Sequence, residues 1–395
     1  MSGGSERTLG VRRLPLIAWV GAILLMACVG NDPSGPDQPG PPSGLAACSS
    51  TPPLAISPVP VTAIHEIAPL GSLNPPGHTT PTGHLYFYFA ASGQVNTTPV
   101  PLVAPGNIVV VSVLRQTRTG GGQPAFTDYA ITFFPCADLQ MFFGHVTTLD
   151  ADLEARVADA FTAGCRPSYE TGGFTYQQCV AAVELAVAAA IPLGTTSGPG
   201  QGALDFGGTD RRIAPLGFAN PARSPGAGTQ FGANRTICPV DYFAEPVRAS
   251  LRALFGRGAR RTVEPVCGAV MQDVPGTAQG RWYLGTSAQD DRNLALVHDN
   301  VDPAIGAISV GTAIPPLPSR VYRFTPAMSG RVRTDFSLVT ADGSIHCYDA
   351  TDAPDRVILL QLLSATTVRI EGLMQAACGD PATWAFGDGA VDFER

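Results

Sequence analysis

Residues 78–89, HTTPTGHLYFYF, place two histidines at the head of an aromatic run. Imidazole nitrogen is the commonest protein ligand for zinc-class metals, and such an ion needs three protein donors drawn from His, Cys, Asp or Glu. In an extended chain His84, Tyr86 and Tyr88 share one face while Leu85, Phe87 and Phe89 share the other. The TTPT between the histidines is turn chemistry that could fold His78 back toward His84. A bland alternative stands beside this: a histidine at the head of an aromatic strand is often just a hydrogen-bonded rim residue. His145, beside Gly144, reads equally well as the polar end of a buried strand, and Asp205 as a turn residue before Gly207-Gly208. His65, His298 and His346 match no pattern. The acids of VHDNVD at 297–302 lack the loop spacing of an EF-hand, and neither a nucleophile elbow nor a phosphate-binding glycine loop is visible.

Bulk composition narrows the function classes. The chain has 395 residues, 45% of them hydrophobic, which is ample for real cores. All 25 basic residues are Arg, against 32 acidic residues, so the electrostatic footprint of nucleic-acid binding is missing. Arg12 and Arg13 precede the apolar run Leu14–Ala27, too short for a comfortable membrane span but right for a secretion signal. The run ends in Leu25-Met26-Ala27-Cys28, which resembles the lipobox of bacterial lipoproteins and implies a signal peptide over 1–27 with lipidation of Cys28. Membrane attachment through that anchor is expected, and Val29, not Asp, after the cysteine points to the outer membrane, facing the periplasm or the cell surface. Residues 28–58, dense in Pro, Gly and Ser, are expected to form a tether.

Eight further cysteines remain: Cys48, Cys136, Cys165, Cys179, Cys238, Cys267, Cys347 and Cys378. An even number suits an oxidising compartment. They allow 105 connectivities. Proximity in sequence favours Cys165–Cys179, Cys238–Cys267 and Cys347–Cys378, leaving Cys48 for Cys136. None has the short spacing of a zinc cluster.

The elements that must position these residues are mostly strands. Strands are expected over 84–89, 100–113 with a turn at Pro105-Gly106, 128–134, 139–145 and within 193–210. Asp150–Ala160 has a capping Asp and helical spacing, and the Ala-rich Tyr176–Ala190 also reads as a helix. A linker at 221–235 separates a first domain, 59–220, from a β-rich second one, 236–395, whose short strands suggest an antiparallel sandwich or barrel. A short helix near 246–255 and a strand over 332–339 are expected within the second. The fold class is therefore mainly β, of the α+β kind.

The order of pieces in residues 59–215 resembles the lysostaphin/LytM-type zinc endopeptidases, peptidase family M-twenty-three, which have a sheet-rich duplicated hybrid motif fold and cleave peptidoglycan cross-links. That family carries HxxxD on a first strand, a "VxAPxxGxVV" segment, a "YxHL" strand end, a glycine-rich turn and finally HxH. Here His84-Leu-Tyr-Phe-Tyr88 stands in the first place, Pro101–Val110 in the second, Phe142-Phe-Gly-His145-Val in the third, Ile191–Gly198 in the fourth and Ala203-Leu-Asp-Phe206 in the last. The resemblance implies His84 as a metal ligand, Asp205 in place of the ligand His of HxH, and His145 as a catalytic histidine. Tyr88 replaces the ligand Asp, and Ala203 replaces the other catalytic His. A phenol with an ordinary pKa near 10 is a poor substitute for a carboxylate, although His78 could supply a third ligand. These losses lead us to expect a non-catalytic envelope lipoprotein, a binding or scaffolding module without a cofactor that recognises cell-wall glycopeptide or an envelope protein. The alternative is a divergent zinc endopeptidase using His84, Asp205 and His78 for Zn²⁺ and His145 for proton transfer.

Overall fold

The computed structural model describes residues 40–171, 174–198, 201–221, 233–286 and 290–395. The signal segment 1–27, Cys28 and most of the linker expected at 221–235 lie outside the described residues. Among the described residues no helix is long and apolar enough to cross a membrane.

The protein is mainly β. One large antiparallel sheet holds β1 (Glu66–Ala68), β2 (His84–Tyr88), β3 (Val100–Val103), β4 (Ile108–Gly120), β5 (Phe126–Cys136), β6 (Leu139–Leu149), β7 (Tyr169–Thr171), β8 (Phe174–Val187), β9 (Pro192–Thr196) and β10 (Ala203–Asp210). Its main path runs β1-β2-β10-β6-β5-β4-β8-β7, with β9 bridging β3 and β6. Helix α1 (Ala151–Ala163) begins where expected, its Asp150 side chain accepting from the Asp152 amide.

The segment read as a second helix is instead the long strand β8. It pairs antiparallel along nearly the whole of β4, from Gly120↔Phe174 to Ile108↔Val187. Ala-rich composition favours a helix locally, but a full ladder of backbone hydrogen bonds and the anchoring of Cys179 to Cys165 override that preference. The expected tether is also shorter than 28–58. From Ala46 the chain is docked: the Ala137 amide donates to Ala46, Cys48 bonds Cys136, and Leu54 is fully buried.

Two further four-stranded antiparallel sheets follow helix α2 (Val247–Arg252). One orders β11 (Gly280–Trp282), β12 (Leu294–His298), β13 (Gly306–Val310) and β14 (Arg320–Phe324); the other orders β15 (His346–Asp349), β16 (Val357–Ser364), β17 (Thr367–Leu373) and β18 (Val391–Glu394). Trp282, Ile308 and Phe324 from one sheet share a core with Tyr348, Leu360 and Phe393 from the other, which makes this unit a sandwich. The stretch 332–339, read as a strand, instead ends in a turn of 3-10 helix at Phe336–Leu338, capped by Asp335. Ile237, Phe243, Phe255 and Val270 pack into the core of the first sheet, so packing divides the chain closer to 271–278 than to 236.

All four cysteine pairings favoured by sequence proximity are present: Cys48–Cys136, Cys165–Cys179, Cys238–Cys267 and Cys347–Cys378. Each contributes about 2–4 kcal/mol of stability, and together they fit an oxidising compartment.

Candidate metal centre

Strand alternation builds the site. On β2, Leu85 and Phe87 point into the main core, where Phe87 meets Phe206 of β10. The opposite face carries His84, Tyr86 and Tyr88. Strand β10 lies between β2 and β6, with Asp205 opposite Tyr86 on one side and Gly144 on the other. A side chain at 144 would bring its Cβ within 3.1 Å of both Cβ and Oδ2 of Asp205, so the glycine makes room for the carboxylate. Beside it, His145 has φ of 61°, a left-handed conformation that non-glycine residues seldom adopt. It falls where the β5–β6 register shifts between Tyr129↔Val146 and Ile131↔Phe143, a bulge of the kind that re-aims a side chain. Thr196 Oγ1 holds the His145 carbonyl at 2.8 Å.

Four side chains named from the sequence converge on this face. Asp205 Oδ2 lies 3.6 Å from His84 Nε2 and 3.4 Å from His145 Nε2. The rings of His78 and His84 are 5.3 Å apart, edge to face, and His78 is also 6.3 Å from Tyr86. His78 does lie back against His84, but the reversal shown by hydrogen bonds precedes it, at 74–78, where Asn74 and His78 exchange backbone bonds of 2.7 and 2.8 Å.

Sequence reasoning missed one member. Asp128 Oδ2 is 2.6 Å from His145 Nδ1, and both residues are buried. Its only sequence signal was a carboxylate at the head of an expected interior strand. With Asp128 as acceptor, Nδ1 carries a proton, which turns Nε2 toward Asp205.

Burial, with the nearby His145 charge adding to it, pushes His78 down to about 3. His84 is held well below the ordinary histidine range by burial first, then by His78 and His145. Both rings are therefore neutral at pH 7, and the His84–Asp205 contact is not an ion pair in that form. Neutral imidazole is the form that binds metal. The Nε2 atoms of His78 and His84 are buried without a hydrogen-bond partner; each such atom costs about 1–3 kcal/mol unless something satisfies it.

Among the described residues, no group of three or more His, Cys, Asp or Glu side chains is placed so that it could hold a metal ion. Two pairwise separations nonetheless match those between ligands of one ion. With bonds of about 2.0–2.2 Å, two ligands of a tetrahedral ion stand roughly 3.3–3.6 Å apart, the range in which Asp205 meets His84 and His145. His78, His84 and Asp205 supply two neutral nitrogens and a carboxylate, a donor set suited to zinc.

The other sequence candidates go elsewhere. Tyr88, at the family's Asp position, stacks on Tyr86 and lies under the Arg257 guanidinium, which pairs with Glu66. Ala203 lies opposite Tyr88 in a small apolar cluster. Asp299 of VHDNVD accepts from the amides of Val301 and Asp302 and pairs with Arg323, the bonding of a turn. In comparison with known proteins, no family model, no curated protein and no solved structure matches this chain.

Proposed function

We propose that this chain is an exported cell-envelope hydrolase, lipid-anchored at Cys28 and probing the periplasm or cell surface from the outer membrane, with a zinc site held by His78, His84 and Asp205. The observation that carries this reading is the convergence of a carboxylate with three histidines, two of whose Nε2 atoms are buried and unpartnered. A zinc ion bound there supplies Lewis-acid polarisation of a carbonyl. The chain's own contribution is proton handling at His145 Nε2: Asp128 fixes the ring through Nδ1, so the other nitrogen can take a proton from the attacking water and return it to a leaving amine. The resemblance to cell-wall endopeptidases suggests peptide bonds of peptidoglycan as substrate.

Protein comprising residues 29–395 tests this. Zinc near one per chain, lost on His84→Ala, is expected. A His145→Ala change should keep the zinc but stop release of peptide from purified peptidoglycan. A chain that takes up no zinc after extensive dialysis against it contradicts the reading.

A second reading, a non-catalytic binding module for cell-wall glycopeptide or an envelope protein, is favoured by one observation. Ala203 and Tyr88 fill with apolar contact the two positions where the resembling family has a catalytic His and a ligand Asp. Tight binding to peptidoglycan with no peptide release would favour it.

A further inference from the structure

The segment that follows His78 is gripped by the C-terminal part of the chain. Asp290, more than two hundred residues away in sequence, accepts from the Thr79 amide at 2.8 Å, the Thr80 amide at 3.3 Å and Thr80 Oγ1 at 2.8 Å. Arg281 of β11 donates through Nη2 to the Pro81 carbonyl at 2.6 Å, with its guanidinium over the Phe218 ring. Thr79, Thr80 and Pro81 are buried. Asn293 donates to Asp290 Oδ1 at 3.3 Å and the Asn293 amide to the Asp290 carbonyl, fixing the acid in a turn before β12. Within the first unit the same segment is tied by the bridge between His78 and Asn74 and by Thr82, whose carbonyl accepts from Gly71 and whose amide donates to Ser72.

We infer that Asp290 is a positioning residue for the metal site: by gripping Thr79 and Thr80 it sets where the His78 imidazole sits against His84 and Asp205. The sandwich unit thereby completes a site whose other members all lie on the first sheet. This rests on the reading of His78, His84 and Asp205 as ligands. It goes beyond that reading, because nothing in the ligand chemistry requires a residue of the second unit. Physically, a ligand on a turn is worth most when the turn is already ordered, since otherwise binding must supply the ordering free energy. Loss of a partner outside the ligand set typically weakens metal binding about 10–100-fold.

The test is a double-mutant cycle on residues 29–395, reading zinc affinity by chelator competition and the visible spectrum of the cobalt(II)-loaded protein. Asp290→Asn should weaken zinc about tenfold and shift the cobalt spectrum as His78→Ala does. Thr80→Val, which removes only the side-chain bond, should have a smaller effect in the same direction. Combined with His78→Ala, Asp290→Asn should add nothing further. Independent, additive losses, or a cobalt spectrum left unchanged by Asp290→Asn in a folded protein, would overturn the inference while leaving the metal site intact. Wild-type protein without zinc would instead overturn the underlying reading. Should Asp290→Asn fail to fold, Thr80→Val carries the cycle alone, with coupling to His78 expected and additivity overturning it.

Discussion

The two halves of the molecule bury histidines in opposite ways. In the sandwich, His298 Nε2 meets Asp335 at 3.0 Å, and the same carboxylate accepts from the Ser337 hydroxyl at 2.6 Å. His346 Nδ1 is 2.9 Å from Thr334 Oγ1, whose neighbour Asp335 is already engaged. Here each histidine has a ring nitrogen answered by a protein group. On the first sheet, His78 and His84 are equally removed from water, yet their Nε2 atoms have no protein partner and face each other's rings and a carboxylate. That contrast is what the proposed metal site would explain. Burial of like groups that depress one another's protonation is a feature of sites awaiting a ligand.

The comparison breaks most sharply at Asp205. Asp205→Ala should weaken zinc binding by at least about a hundredfold, roughly 2.7 kcal/mol, while leaving the melting temperature of metal-free protein little changed. If the cluster were a structural network like that around Asp335, calorimetry would instead show clear destabilisation and no metal effect. Removal of a partner in the sandwich should do the reverse. His298→Ala leaves Asp335 without one of its charge-stabilising contacts and should cost about 1–3 kcal/mol in urea unfolding, with zinc affinity unchanged.

Asp128→Asn separates positioning from ligation. It removes the carboxylate that fixes the His145 tautomer and should lower peptide release about 10–100-fold with zinc content retained. Equal loss of zinc and activity would instead make His145 a ligand.

The smallest effect concerns pH. Burial, with Arg331 adding to it, lowers His346 from its ordinary value, only partly offset by Asp342. The unfolded chain takes up that proton below about 6.5, whereas the folded chain resists it. Stability from this group is therefore intact above about 6.5 and declines as pH falls toward the depressed folded value. His346→Asn, which can still hydrogen-bond Thr334, should flatten that part of the acid limb in denaturant titrations.

Much of the site was legible from local pattern. Alternation put His84 with Tyr86 and Tyr88, turn chemistry returned His78, and the order of pieces pointed to His145 and Asp205. Cysteine spacing found all four bridges because each favoured partner is near in sequence or was left over. What escaped depended on distant pairing. Asp128 reaches His145 only because β5 and β6 pair across a bulge, and Asp290 reaches Thr79 only because the sandwich docks against the TTPT turn. The mistaken helix at β8 has the same origin: its alanines favour a helix in isolation, and only the neighbouring β4 supplies the ladder that overrides them. The docked stretch from Ala46 was misread because its Pro and Ser content hides Leu54, which fits into the core beside Phe243.

X-ray absorption at the zinc edge, on residues 29–395 purified with zinc and dialysed, addresses the central claim most directly. The account predicts a first coordination sphere of nitrogen and oxygen at about 2.0–2.1 Å, with imidazole scattering that diminishes in His84→Ala. A sample without bound zinc, or zinc showing only hydrated, imidazole-poor coordination that is indifferent to His84, would contradict it.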